Sequence, residues 1–302
     1  MKIEFQRLGQ ILDPQELQFN ECTLSHAANP VVVKIAEHSY RIFFNSRDLN
    51  QKSSVYSVDF NLDSQLIIPN TFKIQFLLGT SDSYFKDGVS LGSHFQLDGV
   101  DWIGFMGWVN PPSEHWYGTI GRLRLNSNFD FEYIEESPWF GLDSYDQTSL
   151  SYPAVYFSKN VMHVWYGTTL SWDGGNGEMV HVLKEKISTD FVQFENSTRV
   201  VEWKLGESQA FSRPSVAEVQ GHFLMAYSVR GSSTKYRIGF GIIEDDSPII
   251  KEIATYPTSK SRWESEMVEY PCLVSHKNSI FMFYNGNGYG KSGIGLARLI
   301  IS

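Results

Sequence analysis

The chain has 302 residues, enough for one large domain or two ordinary ones, and is rich in aromatic residues (8 Trp, 15 Tyr, 21 Phe) of the kind that favour strands and sugar-binding surfaces. Its formal net charge of −9 is spread without a block. That argues against nucleic acid or an anionic membrane as the main partner, since both need a basic face.

The N-terminal "MKIEFQRLGQILDPQELQ" has no apolar core followed by a small-residue cleavage site. No uncharged apolar run of about 18 residues follows, so no membrane span is expected and the protein is expected to be cytoplasmic. Within that stretch "KIEFQRLGQIL" reads as a strand. Cys22 and Cys272 are too far apart to make a metal motif or a disulfide framework, and read as two reduced, partly buried thiols.

Five segments then share one layout. They are "ANPVVVKIAEHSYRIFFNSRD", "KDGVSLGSHFQLDGVDWIGFMGWV", "SYPAVYFSKNVMHVWYGTT", "SRPSVAEVQGHFLMAYSVRG" and "EYPCLVSHKNSIFMFYNGNGYGKSGIGLARLI". Each opens on a polar residue, usually followed by Pro, then a short apolar strand. A turn follows, then a strand rich in Phe, Tyr, Trp and Met, a loop, and a third strand such as 238–243 or 294–300. More polar fourth strands are expected at 72–77, 132–135, 191–194 and 249–253. The repeat is about 60 residues, close to the longer propeller repeats. A four-stranded sheet cannot hide both its faces alone, whereas radial packing buries each sheet against two neighbours. The predicted fold is all-β: a five-bladed β-propeller of four-stranded antiparallel blades, one domain over 1–302. Its blades begin near 29, 87, 152, 213 and 270, with the N-terminal strand closing the last one.

In that arrangement the residues before each first strand, and the loops after each second strand, rim one mouth of a central channel. The first blade brings Ser25, His26 and Asn29, then Arg47 and Asp48. The second brings Asp87, with His94 and Trp108 further on. The third brings Ser151 and Tyr152, and the fourth Arg213 and Arg230. The fifth brings Glu266, Glu269 and Tyr270, then Asn285, Asn287 and Tyr289 on the Gly-rich loop. Carboxylates for hydroxyls or acid–base work, with aromatics for the apolar faces of sugar rings, suit a carbohydrate. "NGNGYG" lacks the helix and the Lys-Ser/Thr ending of a phosphate loop. No close pair of metal ligands is visible, so neither a metal nor a cofactor is expected.

The stretches "YRIFFNSRD", "YFKDGV", "FMGW", "SRPSV", "YRIGFG", "WESEMVEYP" and "FYNGNGYGKSGIGLA" resemble the five-bladed β-propeller glycosidase clan of arabinanases, xylosidases, invertases and mannoside phosphorylases. More narrowly, the chain is similar to glycosidase-like propeller proteins encoded among bacterial surface-polysaccharide genes. The resemblance implies a carbohydrate-active protein with its site at the channel mouth. Arabinanase-like enzymes carry a general-base Asp at the first blade, an auxiliary Asp at the second and a general-acid Glu at the third. Asp87 matches the second. Asn29 stands at the first, and "SYP" offers no Glu at the third. The catalytic acids expected here are Asp87 and Glu266. His26, Arg47, Asp48, Arg213, Glu269, Asn287 and Tyr289 are expected to bind substrate. Three readings stay open: a glycoside hydrolase or glycosyl-transferring enzyme, a non-catalytic carbohydrate-binding propeller, and an enzyme modifying a nucleotide-linked sugar in surface-polysaccharide assembly. The sequence does not set the oligomeric state.

Overall fold

Period-2 alternation and short apolar runs bounded by Gly, Pro, Asn and Asp commit this chain to strands. The computed structural model describes residues 1–19, 22–77, 80 and 82–302. Strand β1 (Ile3–Leu12) precedes a small ribbon of β2 (Gln18–Phe19) and β3 (Cys22–Thr23); the side chain of Cys22 lies outside the described residues. The first antiparallel group holds β4 (Ala28–Lys34), β5 (Ser39–Arg47), β6 (Ser53–Asn61), the short β7 (Leu66–Ile67) and β8 (Lys73–Phe76). The second holds β9 (Gly88–Leu97), β10 (Val100–Val109), β11 (Tyr117–Leu125) and β12 (Phe131–Ile134). The third holds β13 (Leu150–Ser158), β14 (Val161–Ser171), β15 (Val180–Ser188) and β16 (Glu195–Val201). The fourth holds β17 (Ala210–Val219), β18 (His222–Arg230), β19 (Arg237–Ile243) and β21 (Glu252–Tyr256), while β20 (Ile249–Ile250) pairs with β16. The last holds β22 (Glu269–His276), β23 (Ser279–Asn285) and β24 (Ile294–Ile301), and β1 pairs antiparallel with β24 on its outer edge. Two expected outer strands sit further along the chain than their apolar residues indicate. Residues 191–194 form a bend with the strand starting at Glu195, and 252–256 rather than 249–253 makes the edge of the fourth group.

The first strands β4, β9, β13, β17 and β22 pack side by side in that order, and β22 packs back onto β4. Apolar clusters fill the spaces between successive groups. Val31, Phe43, Val89 and Phe105 join the first to the second; Phe95, Trp102, Val155 and Val164 the second to the third. Trp165, Leu183, Phe211 and Tyr227 join the third to the fourth, and Ile238, Phe240, Met282 and Leu299 the fourth to the last. Phe44, Phe60, Phe283 and Leu296 join the last back to the first. Each such side chain, fully buried, contributes roughly 1.5–3 kcal/mol.

The Pro-marked strands share one irregularity. Their pairing with the second strand shifts register at Asn29–Pro30, Tyr152–Pro153, Arg213–Pro214 and Tyr270–Pro271. These are β-bulges, and the residue before each proline has a positive φ: 54° at Asn29, 43° at Tyr152, 45° at Arg213 and 52° at Tyr270. Such a conformation costs a bulky residue roughly 1–3 kcal/mol, so its surroundings must hold it. They do so across groups. Asn285 Oδ1 accepts from the Asn29 N–H at 2.9 Å, and Ser228 Oγ from the Tyr270 N–H at 2.7 Å. In β9 the register shift falls at Gly92–Ser93. A Cβ at Gly92 would lie 2.3 Å from the Pro153 carbonyl oxygen, so this strand needs glycine where the others turn on a proline. Asp87, aligned by sequence with the pre-proline residues, therefore stands five positions earlier, just before β9.

Candidate active site

Asn29, Tyr152 and Tyr270, each at a bulge, line a pocket of about 580 Å³. A second cavity of about 450 Å³, lined by residues beyond the bulges such as Val31, Ser93, Val155, Ser215 and Cys272, opens at the other end. Arg213 lies fully buried between these two sets of residues. Its Nε donates to the Leu91 carbonyl at 3.0 Å, and its Nη1 to those of Tyr270 and Pro271, both at 3.1 Å. Its Nη2 donates to those of Pro30 at 2.6 Å and Gly92 at 2.8 Å. All five N–H groups are thus used on carbonyls of three other first strands. Burial lowers its pKa without depriving a guanidinium of its charge. Expected as a substrate-binding cation, Arg213 has no donor left for a ligand. It is a cross-brace among the first strands.

The larger pocket is aromatic and polar. Trp108, Trp116, Tyr236, Tyr270 and Tyr289 line it together with Asn45, Arg47, Lys52, Asp87 and Arg230. Arg230 donates to Glu178 at 3.0 Å and to the Tyr289 hydroxyl at 3.3 Å, and its guanidinium sits 4.8 Å from the Tyr236 ring centre. The Arg47 guanidinium has no ion pair or hydrogen bond among the described residues, which leaves a cation facing the pocket. Ser151 and His181 form one wall. Ser151 Oγ lies 2.7 Å from His181 Nε2, and His181 Nδ1 2.8 Å from Thr169 Oγ1. Burial, with Arg230 nearby, brings the His181 pKa down to about 4. A neutral imidazole backed by threonine lacks the carboxylate that would stabilise an imidazolium, so this relay fixes the wall. A Cβ at Gly167 would lie 2.3 Å from both Ser151 Oγ and His181 Nε2, so the relay requires glycine there.

The expected carboxylates separate sharply. Asp87 lies at the pocket, with Lys52 Nζ 2.9 Å from Oδ1 and the Asn110 N–H donating to Oδ2 at 2.7 Å. Burial alone would raise its pKa. The Asn110 and Lys52 hydrogen bonds and the Lys52 and Lys86 charges outweigh it and hold the carboxyl below the usual range, so Asp87 is ionised. Glu266, its expected partner, lies outside the pocket lining. It is exposed on the surface and paired with Lys235, because Asn287 Oδ1 accepts from the N–H groups of Glu266 at 2.8 Å and Met267 at 3.1 Å and holds this segment to the Gly-rich loop. Three residues on, Glu269 is fully buried, and neither carboxylate oxygen has a hydrogen bond of normal geometry. Burial pushes its pKa well up, against weaker opposition from Arg230, Arg47 and the Tyr289 backbone. Burial thus biases Glu269, next to the lining residue Tyr270, toward its neutral form.

The remaining expected ligands divide. Arg47 and Tyr289 line the pocket. His26 is beside it, with Nδ1 2.8 Å from Ser25 Oγ, and burial, Arg47 and Lys291 bring its pKa down to about 4. Asp48 is exposed and caps its own turn, accepting from the Asn50 N–H at 2.8 Å and the Lys52 N–H at 2.9 Å. Asn287 organises its loop and is not among the lining residues; its Nδ2 donates to the Arg262 carbonyl at 2.9 Å. His94 faces the opposite cavity, 2.8 Å from Asp101. Trp108 lines the pocket with its indole N–H 3.3 Å from Ser53 Oγ, whereas Trp165 is fully buried. Tyr236, His181, Lys52 and Trp116 were not among the expected site residues. Each follows or ends a loop on the pocket side, and no local pattern marks it. Among the described residues, no helix is long and apolar enough to cross a membrane.

No protein-family model matches the chain. Solved structures with the same fold include a protein described as "Glycoside hydrolase", with a TM-score of 0.72 at 10% identity over 97% of this chain and 90% of that one. The β-1,2-mannobiose phosphorylase of Listeria innocua, in complex with β-1,2-mannobiose, matches with a TM-score of 0.69 at 10% identity over 99% and 96%. The α-L-arabinofuranosidase of Podospora anserina, in complex with cellotriose, matches with a TM-score of 0.67 at 10% identity over 97% and 95%. The all-β fold is therefore that of the propeller-type glycoside hydrolases. In sequence, the chain is 33% identical over 301 residues to the uncharacterised protein MT1551 of Mycobacterium tuberculosis (strain CDC 1551 / Oshkosh), covering 98% of this chain and 99% of the relative. It matches Rv1502 of strain ATCC 25618 / H37Rv with the same identity and coverage. The chain belongs to the family of these two mycobacterial proteins.

Proposed function

We propose that the five antiparallel groups are the blades of a single propeller spanning 1–302, and that the protein is a glycosidase-like, carbohydrate-active enzyme using the larger pocket. The observation that carries this reading is the placement of two acids of opposite character: Asp87 lines the pocket with its carboxyl held below the usual range, and Glu269, buried next to the lining residue Tyr270, has its pKa pushed well up. Glycosyl transfer to water or another acceptor needs both a proton donor and a carboxylate. Asp87 is the carboxylate and Glu269, in place of Glu266, the proton reservoir. Trp108, Tyr270 and Tyr289 offer faces to sugar rings, and Arg47 offers a fork to hydroxyls or to an acidic substituent. The substrate belongs, on this proposal, to a bacterial surface polysaccharide or its nucleotide-linked precursor, handled in the cytoplasm. The bacterial relatives, and an Arg47 that lines the pocket without an ion pair among the described residues, support that part.

One observation favours a second reading, a non-catalytic carbohydrate-binding protein: Glu269 has no exposed surface through which to meet a substrate. A panel of nitrophenyl glycosides, oligosaccharides and sugar nucleotides, screened for binding and for turnover, decides between the two. Turnover that falls about 100-fold or more in Asp87→Asn and in Glu269→Gln supports the enzyme. Binding without turnover supports the second reading, and turnover unchanged in both variants removes these residues from the chemistry.

A further inference from the structure

Away from this pocket, at the hairpin ends of the first and last groups, three side chains far apart in sequence converge. His38 lies in the turn between β4 and β5, Asp63 in the turn after β6, and His276 at the end of β22. The Leu62 N–H donates to the His38 carbonyl at 3.0 Å and ties the first two turns together. His38 Nδ1 is 2.9 Å from Asp63 Oδ2, and His276 Nε2 is 3.5 Å from Asp63 Oδ1. One ligand atom from each of the three residues lies within 4.8 Å of the other two.

Both imidazole nitrogens that face the carboxylate are buried atoms without a hydrogen bond of normal geometry. For His276, 7% exposed, that leaves a polar atom pointing at an acceptor without bonding it. The opposite nitrogen of the His276 ring is held in place. His276 Nδ1 lies 2.7 Å from the hydroxyl of the buried Tyr40, and His38 Nε2 lies 3.4 Å from Glu37 Oε1. Partners of this kind fix the tautomer and orientation of metal-bound histidines. If His276 Nδ1–H donates to Tyr40, the Nε2 lone pair faces Asp63.

We propose that His38, Asp63 and His276 form a binding site for a divalent transition ion of the zinc class, clipping the first group to the last. Two imidazoles and one carboxylate are the donors that zinc accepts, with a fourth position left for water. Zinc with ligands at 2.0–2.1 Å sets neighbouring donors about 3.3 Å apart; the imidazole nitrogens lie 2.9 and 3.5 Å from different oxygens of Asp63, and the three ligand atoms lie within 4.8 Å of one another, so small side-chain rotations close the set on one ion. Asp63 and His38 are partly exposed, so the ion has a path in. Lys277 Nζ, 3.8 Å from Asp63 Oδ2, is the cation it displaces.

The test uses the full chain stripped with EDTA, zinc chloride as the probe, and a chromophoric chelator as competitor. One zinc per chain is expected, with affinity at least about tenfold weaker in Asp63→Asn and in His38→Gln. The melting temperature of the wild type should rise with zinc, while that of Asp63→Asn stays put. Both substitutions sit in partly exposed turns, and melting without metal verifies that each variant folds; if one does not, the other carries the comparison. Absence of one-to-one binding, or binding equally tight in the folded variants, overturns the site.

Discussion

Replacing Arg213 by alanine removes a buried charge together with five hydrogen bonds that hold carbonyls of β4, β9 and β22 around it. A hydrogen bond to a charged group is worth about 1.5–3 kcal/mol, but five such values do not add, because the carbonyls relax and water enters the space. Truncating one member of a buried polar network typically costs about 3–5 kcal/mol, and that is the loss expected here. For a chain of 302 residues, 1 kcal/mol moves the melting temperature by roughly 1.6 °C, so Arg213→Ala should melt about 5–8 °C below the wild type. Arg213→Lys keeps the charge on a single ammonium that cannot fork to three strands, and should fall between the two. Differential scanning calorimetry reads the effect, with circular dichroism confirming that the sheets form. An Arg213→Ala protein that melts within about 1 °C of the wild type, or one that keeps its stability and loses only ligand affinity, would show that the guanidinium serves the ligand rather than the fold.

Other substitutions separate the neighbouring acids and the loop. Above the ordinary glutamate range the unfolded chain releases the Glu269 proton while the folded chain retains it, so stability should fall as pH rises toward the raised folded pKa. Glu269→Gln cannot ionise, and the difference between its melting temperature and that of the wild type should therefore grow with pH; a constant difference contradicts a buried, proton-bearing Glu269. Glu266→Gln should leave both melting temperature and ligand binding at wild-type values, since its partner is the surface Lys235. Asn287→Ala should lower the melting temperature by a few degrees, because it frees the Glu266 and Met267 N–H groups and the Arg262 carbonyl. Trp108→Ala should weaken sugar binding by about tenfold in isothermal titration and barely change melting, as expected of a ring that faces a ligand.

The strand grammar is readable because each Pro-marked segment repeats one mechanical device. "ANP", "SYP", "SRP" and "EYP" each place a residue of positive φ before a proline and start a first strand. The second segment is misregistered by sequence because its register shift falls at Gly92–Ser93, without a proline or a positive φ, and "KDG" mimics the expected polar opening. Asp87 still reaches the pocket because the chain enters β9 at that end. The choice between Glu266 and Glu269 is beyond local reading: Asn287, from a distant loop, decides which one faces solvent. Sequence marks Arg213 as a first-strand residue before a proline, but whether its head meets a ligand or five carbonyls depends on strands brought in from three other groups. His38, Asp63 and His276 escape notice for the same reason, since each occupies an ordinary hairpin turn.

The most direct measurement is a crystal structure of the protein with the tightest-binding sugar from the glycoside panel. Density for a ring lying against Trp108 or Tyr289, with its hydroxyls or glycosidic oxygen within hydrogen-bond reach of Asp87 and Arg47, is the expected result. A sugar seated in the opposite cavity near His94, or on the outer surface, would contradict it.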